Sequence, residues 1–296
     1  MNIKRLRNTL LTGTVLLLST ITPVQAATTA DILFVVDESG SMSGEHSWIS
    51  TMVTTLDAEL NTAGVTGNQF GLVGFGGSKS GNHYKGHAHG GFGTAANLAA
   101  QTSSLVTHGI KEDGYSGIDF ALNNFTFRNN AALNVILITD EDRDDEVSSL
   151  NYSNILAALT GRKALLNAVV NAEFSDSVAG SGALGIDSGL NSYFADGLGS
   201  FNTFTNGSNP YGVGSTEHDY VDLALATGGA AWDLNKLRAG GLLSDSFTKA
   251  FINIKVAEIT KQLGPSAVPI PAAAFMFSPA LLGFLGLRRK AKITTV

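Results

Sequence analysis

Residues 31–44 read DILFVVDESGSMSG. Ile32 to Val36 is an unbroken apolar run, closed by the carboxylate of Asp37. An apolar run without alternation is the pattern of a strand buried on both faces. Ser39 and Ser41 follow at alternate positions, so an acid and two hydroxyls stand at i, i+2 and i+4. A loop that leaves a strand this way presents three oxygens on one side. Hard divalent cations such as Mg²⁺ take oxygen ligands and usually keep some waters. The competing reading is a helix cap, a role common for Asp and Ser. A second acid weighs against it: Asp140 closes another apolar run, ALNVILIT, over 132–139.

The pattern continues outward from that stretch. Helical spacing over 45–63 (Trp48, Ile49, Met52, Val53, Leu56, Leu60) stops at Gly64. Further strands are predicted over 69–75, 132–139, 164–172 and 230–234. Helices are predicted over 95–105, 114–127, 152–159, 220–227 and 242–263, and a hairpin over 78–93. Residues 174–218 are rich in Gly, Ser, Asn and Phe without periodicity, and read as an insertion with short β-like pieces. Alternating strands and helices imply an α/β fold: a doubly wound, mostly parallel sheet with helices on both faces. Ligands of such sheets sit beyond the carboxyl ends of the strands. Asp37 and Asp140 can therefore meet in one crevice.

Both ends of the chain read as sorting segments. Residues 1–26 combine Lys4, Arg5 and Arg7 with the apolar run 15–18 and Val24-Gln25-Ala26, the order of a secretory signal peptide. At the other end, Val268-Pro269-Ile270-Pro271 precedes an uncharged stretch, 271–287, and four basic residues. That stretch is long enough for a short membrane helix, with the basic cluster on the cytoplasmic side. The tail, 264–296, resembles the PEP-CTERM sorting signal of Gram-negative bacteria, with Ile270 where the name-giving form has Glu. The resemblance implies recognition by an exosortase, passing contact with the inner membrane, and removal of the tail. Seven of the 19 basic residues lie in these two segments and all 25 acids lie between them, leaving 12 against 25, a formal charge of −13. Such a surface disfavours nucleic acid and anionic lipid and suits cation binding. With no cysteine, an exported chain has no disulfide framework to rely on.

Asp37-Glu38-Ser39-Gly40-Ser41-Met42 resembles the metal-ion-dependent adhesion site of the von Willebrand factor A (VWA) domain. The similarity extends over about 31–263 and includes NQFGLVGFG, VILITDED and LATGGAAWDL. It implies a site for Mg²⁺ or Mn²⁺, with Ca²⁺ as a further candidate. In that site Asp37, Ser39 and Ser41 form the first loop and Asp140 the third. The second loop departs from the family pattern, since no Thr stands in HGIKEDGYSG, 108–117. Its order is similar to integrin β-type domains, which implies Glu112 as the ligand, with Asp113 and Ser116 in reserve. By resemblance the partner is a protein or an extracellular polysaccharide or matrix ligand whose carboxylate completes the coordination, at the cell surface, outside the cell or in biofilm.

Other clusters read more plainly. His83, His87 and His89 could bind Zn²⁺ or Cu²⁺, but no Cys or paired acid accompanies them in sequence, so a solvated hairpin is the preferred reading. The acidic run 141–146 lacks the order of an EF-hand, so Asp142 and Asp144 read as part of a solvated loop. There is no Gly-x-Ser-x-Gly elbow and no Cys nucleophile, so a non-enzymatic role is expected. Two alternatives stand beside it. One is a metal-dependent secreted hydrolase, the other a structural matrix protein with a vestigial site.

Overall fold

A computed structural model describes residues 28–77, 85–109, 111–205, 208–212 and 216–264. The expected signal peptide, the expected sorting tail and His83 lie outside the described residues. Among the described residues, no helix is long and apolar enough to cross a membrane.

The opening stretch forms strand β1 (Thr29–Asp37), followed by helix α1 (Ser43–Thr62) and strand β2 (Gln69–Phe75). Then come β3 (His87–Ala88), α2 (Ala95–Gln101), α3 (Gly114–Asn124), β4 (Ala131–Ile138), α4 (Tyr152–Gly161) and β5 (Leu165–Val170). Strands β12, β5, β4, β1 and β2 lie side by side and all parallel, β12 being Ala230–Asp233. Among the described residues the last elements are α6 (Leu234–Arg238) and α7 (Gly241–Leu263). This is the doubly wound α/β sheet that the alternation predicts.

The two faces of β1 explain its continuous apolar run. Ile32, Phe34 and Val36 face one core with Ile49, Met52, Val53 and Leu56 of α1 and Phe247 and Phe251 of α7. Leu33 and Val35 face the other core with Ile118 and Leu122 of α3 and Ile155 and Leu159 of α4. Successive strand residues point to opposite faces, so a strand covered on both sides has no polar positions to alternate with.

The region read as an insertion is strand-rich. It contains β6 (Ala172–Asp176), β7 (Gly180–Ala183), β8 (Gly185–Asp187), β9 (Ser192–Ala195), β10 (Phe201–Phe204) and β11 (Ser208–Gly212). Strands β8, β9 and β10 extend the main sheet antiparallel beyond β12, and β11, β6 and β7 form a separate three-stranded sheet. Each strand has five residues or fewer, which is too short for an alternation to show. The segment expected as a helix over 220–227 begins as a π-helical turn, Glu217–Val221, and continues as α5 (Asp222–Ala226). The expected helix over 95–105 is shorter as well, since α2 gives way to a 3₁₀ turn at Thr102–Ser104.

Candidate metal centre

Strands β1 and β4 are neighbours in register, Val36 opposite Ile138. Their carboxyl ends therefore release Asp37 and Asp140 at one level. The sheet order also reverses its winding between these two strands, where a crevice opens in folds of this kind. Asp37 is fully buried. Its Oδ1 accepts from the Ser39 amide at 2.7 Å and its Oδ2 from the Thr139 hydroxyl at 2.7 Å. Ser39 Oγ lies 3.1 Å from Ser41 Oγ, and Ser41 Oγ donates to Asp140 Oδ1 at 2.9 Å. Four of the five expected ligands thus form one hydrogen-bonded string.

The fifth, Glu112, arrives on the loop before α3. The His108 amide donates to Glu38 O, tying this loop to the first one. The Glu112 amide donates to Asp144 Oδ2 at 2.8 Å, and the Asp144 amide returns a bond to Glu112 O at 3.1 Å. Gly76, at φ +77°, marks where Asp37 and Glu112 approach each other. A Cβ on Gly76 would lie 3.0 Å from Asp37 Oδ1 and 3.6 Å from Glu112 Cγ. Glycine is needed there both for the left-handed backbone and for the space.

The reserve residues have other work. Asp113 is buried and accepts from Arg143 Nε at 2.8 Å and from the Val147 amide at 3.2 Å, so its carboxylate fixes the third loop. Ser116 lies on the buried face of α3, with its amide on Asp113 O. Asp142 is exposed, as a solvated loop requires, but Asp144 orders the Glu112 backbone.

The electrostatics are those of acids confined without enough positive charge. Burial pushes the Asp37 carboxyl up to about 7, against the hydrogen bonds from Thr139 and Ser39, and Asp140 adds to the rise. Burial pushes Glu112 up to about 8, reinforced by the charges of Asp37, Asp144 and Glu141. Among the described residues no cationic side chain pairs with either one. Asp140 differs. Arg238 of α6 donates from Nη2 to its Oδ2 at 2.9 Å and from Nε to Glu45 Oε1 at 2.6 Å. Three carboxylates and two hydroxyls with one peripheral guanidinium form an all-oxygen donor set with surplus negative charge. That chemistry fits a hard divalent cation.

No protein family matches the chain, and no curated protein does. Solved structures do. An aerotolerance-related membrane protein from Bacteroides fragilis is 14% identical over 77% of this chain and 99% of that one, with a TM-score of 0.45. Proximal thread matrix protein 1 from the mussel byssus is 19% identical over 50% of this chain in two structures. They have TM-scores of 0.39 and 0.40, and the second is described as having a zinc-occupied MIDAS motif, the adhesion-site motif named above. This chain spans 36–37% of the mussel protein's length.

Sequence reasoning missed three participants. Thr139 orients Asp37, Arg238 holds Asp140, and Gly76 makes room between Asp37 and Glu112. Only Thr139 had a usable signal, being the polar residue that ends an apolar strand beside an acid.

Proposed function

We propose that this chain is a VWA-like adhesion module that holds Mg²⁺, or Mn²⁺ or Ca²⁺, between Asp37, Ser39, Ser41, Glu112 and Asp140. The observation that carries the reading is the pair Asp37 and Glu112: buried acids flanking one point beside Gly76, with no cationic side chain paired to either among the described residues. Buried carboxylates persist when something compensates them. A bound ion would supply that charge and an open coordination position for a partner's Asp, Glu or acidic sugar.

The chain's own groups set up the site. Thr139 and the Ser39 amide aim the two oxygens of Asp37. Ser41 and Arg238 each take one oxygen of Asp140, so that side chain is held from both sides. With a Glu in the second loop the ion is held more firmly and is less electrophilic toward a ligand. We further propose export through the signal peptide, exosortase sorting through the 264–296 tail, and binding of a protein or polysaccharide matrix ligand at the cell surface or in biofilm, without turnover.

The test is thermal unfolding of the full chain with chelator or with added Mg²⁺, Mn²⁺ or Ca²⁺, for wild type and Asp37→Ala. Native-state binding at a hundredfold excess over Kd stabilises by about 2.7 kcal/mol. The expected result is a shift in wild type that Asp37→Ala abolishes. No shift in either protein would leave a vestigial site, and metal-dependent turnover of a substrate would favour the hydrolase.

A further inference from the structure

A different donor set converges on the far side of the same first loop. Glu38, between Asp37 and Ser39, is fully buried and reaches the edge of the sheet at β3. Its Oε1 lies 2.9 Å from His89 Nε2, and its Oε2 lies 3.1 Å from His87 Nε2. The two rings are 4.8 Å apart, and the three candidate ligand atoms lie within 4.8 Å of one another. His87 and His89 are two residues apart in extended chain, so they share a face. The acid whose absence from the neighbouring sequence favoured a solvated hairpin is supplied from about fifty residues upstream.

The His89 ring is fixed at both of its nitrogens. The Ser104 hydroxyl donates to Gln101 O at 2.7 Å. The same Oγ lies 2.7 Å from His89 Nδ1. His89 is thus held through Nδ1, with Nε2 turned toward the Glu38 carboxylate. A ring nitrogen and a carboxylate oxygen at 2.9 Å have something positive between them, a proton or a metal ion. The other oxygen, Glu38 Oε2, is also buried and faces His87 Nε2 at 3.1 Å. Two glycines leave room for the cluster. A Cβ at Gly74 would fall 2.5 Å from Glu38 Oε2 and 2.7 Å from His89 Nε2, and one at Gly77 would fall 2.7 Å from Glu38 Oε2.

We propose that Glu38, His87 and His89 form a second metal site, separate from the all-oxygen centre, for Zn²⁺ or a similar borderline divalent transition ion. Two imidazoles and a carboxylate suit such ions and are poor ligands for Mg²⁺. Ligand atoms around tetrahedral zinc stand about 3.3 Å apart, and the three here lie within 4.8 Å of one another. Ser104 on Nδ1 is the outer-shell partner that fixes a ligating imidazole. His87 is 34% exposed, so a fourth position opens on its side to water or a ligand. The ion would fasten β3 to the loop that carries Ser39 and Ser41. The inference stands independently of the oxygen centre.

The test is a Zn²⁺ titration of the full chain against a chromophoric chelator, with Mg²⁺ in excess. The proteins are wild type, His87→Ala, His89→Ala and Asp37→Asn. The expected result is one tightly held Zn²⁺ per chain in wild type and in Asp37→Asn. Loss of an outer-shell group alone costs 10–100-fold, so each His variant should bind at least about 100-fold more weakly. Unchanged binding in His89→Ala, or binding that only Asp37→Asn removes, overturns the proposal. No zinc binding at all also overturns it, and means that the cluster is a hydrogen-bonded imidazolium only. Should a His variant fail to fold, X-ray absorption of the zinc-loaded wild type decides. Two imidazole ligands support the site, and an oxygen-only shell refutes it.

Discussion

Asp37 serves two opposed ends. It sits in the core, where an ionised carboxylate is costly, and it is aimed by Thr139 and by the Ser39 amide, which favour the ionised form. In chelator the cost prevails: Asp37 rises to about 7 and Glu112 to about 8. An unfolded carboxyl titrates near about 4, so the folded chain holds more protons than the unfolded one from there up to those values. Where the folded state binds more protons, stability falls as pH rises. The metal-free protein is therefore expected to be most stable below that window and to lose stability as pH climbs through 7 and 8. Added Mg²⁺ should remove the loss. Asp37→Asn in chelator should be more stable than wild type at the upper end, with the gap closing as the pH falls toward 5. Urea unfolding across the range reads both effects, and a wild type whose stability rises with pH in chelator would contradict them.

At the scale of elements, legibility followed pattern length. Strand β1 and helices α1 and α7 announced themselves because a long apolar run or a helical repeat has enough positions to exclude other readings. The ends of β1 and β4 then carried Asp37, Ser39, Ser41 and Asp140, so most of the first and third loops was readable. Glu112 came from a likeness in the second loop, and its pairing with the Asp144 backbone was not readable, since loop-to-loop hydrogen bonds leave no local signal. The Glu38–His89 contact spans 51 positions and is invisible for the same reason. Even α7 hides something. Lys255 is fully buried on its inner face, with Nζ 3.1 Å from Asn134 Oδ1 and 2.8 Å from Glu258 Oε2, and burial lowers its pKa. Glu258 also accepts from Asn167 at 2.9 Å, so one cation joins α7 to β4 and β5. Removing one partner of a buried pair strands the other, at about 3–5 kcal/mol. Lys255→Ala is expected to lose about that much in chemical denaturation, and a loss under about 1 kcal/mol would show the pair to be dispensable.

At the scale of the molecule, the region 172–212 belongs to the fold. Strand β8 pairs with β12, and Tyr193 of β9 is buried with its ring stacked 5.5 Å from Trp232 and its hydroxyl on Asp187 Oδ2. Trp232 in turn meets Phe247 and Phe251 of α7, which meet Trp48 of α1. An aromatic chain thus runs from the added strands into the main core. Tyr193→Ala is expected to cost about 3–5 kcal/mol, in the range of large aromatic truncations, and to broaden no separate transition. A two-step melt would instead mark the region as an independent unit. Residue 29 starts β1 opposite Ala131, and Gln262, at the end of α7, donates to Leu133 O and Lys163 O, beside the starts of β4 and β5. Thr29 and Gln262 therefore both lie at the amino-terminal rim of the sheet. Asp37 stands at the opposite rim, about 26 Å away along β1. A ligand seated on Asp37 is thus held clear of both described ends of the chain, with the full length of the strand between them.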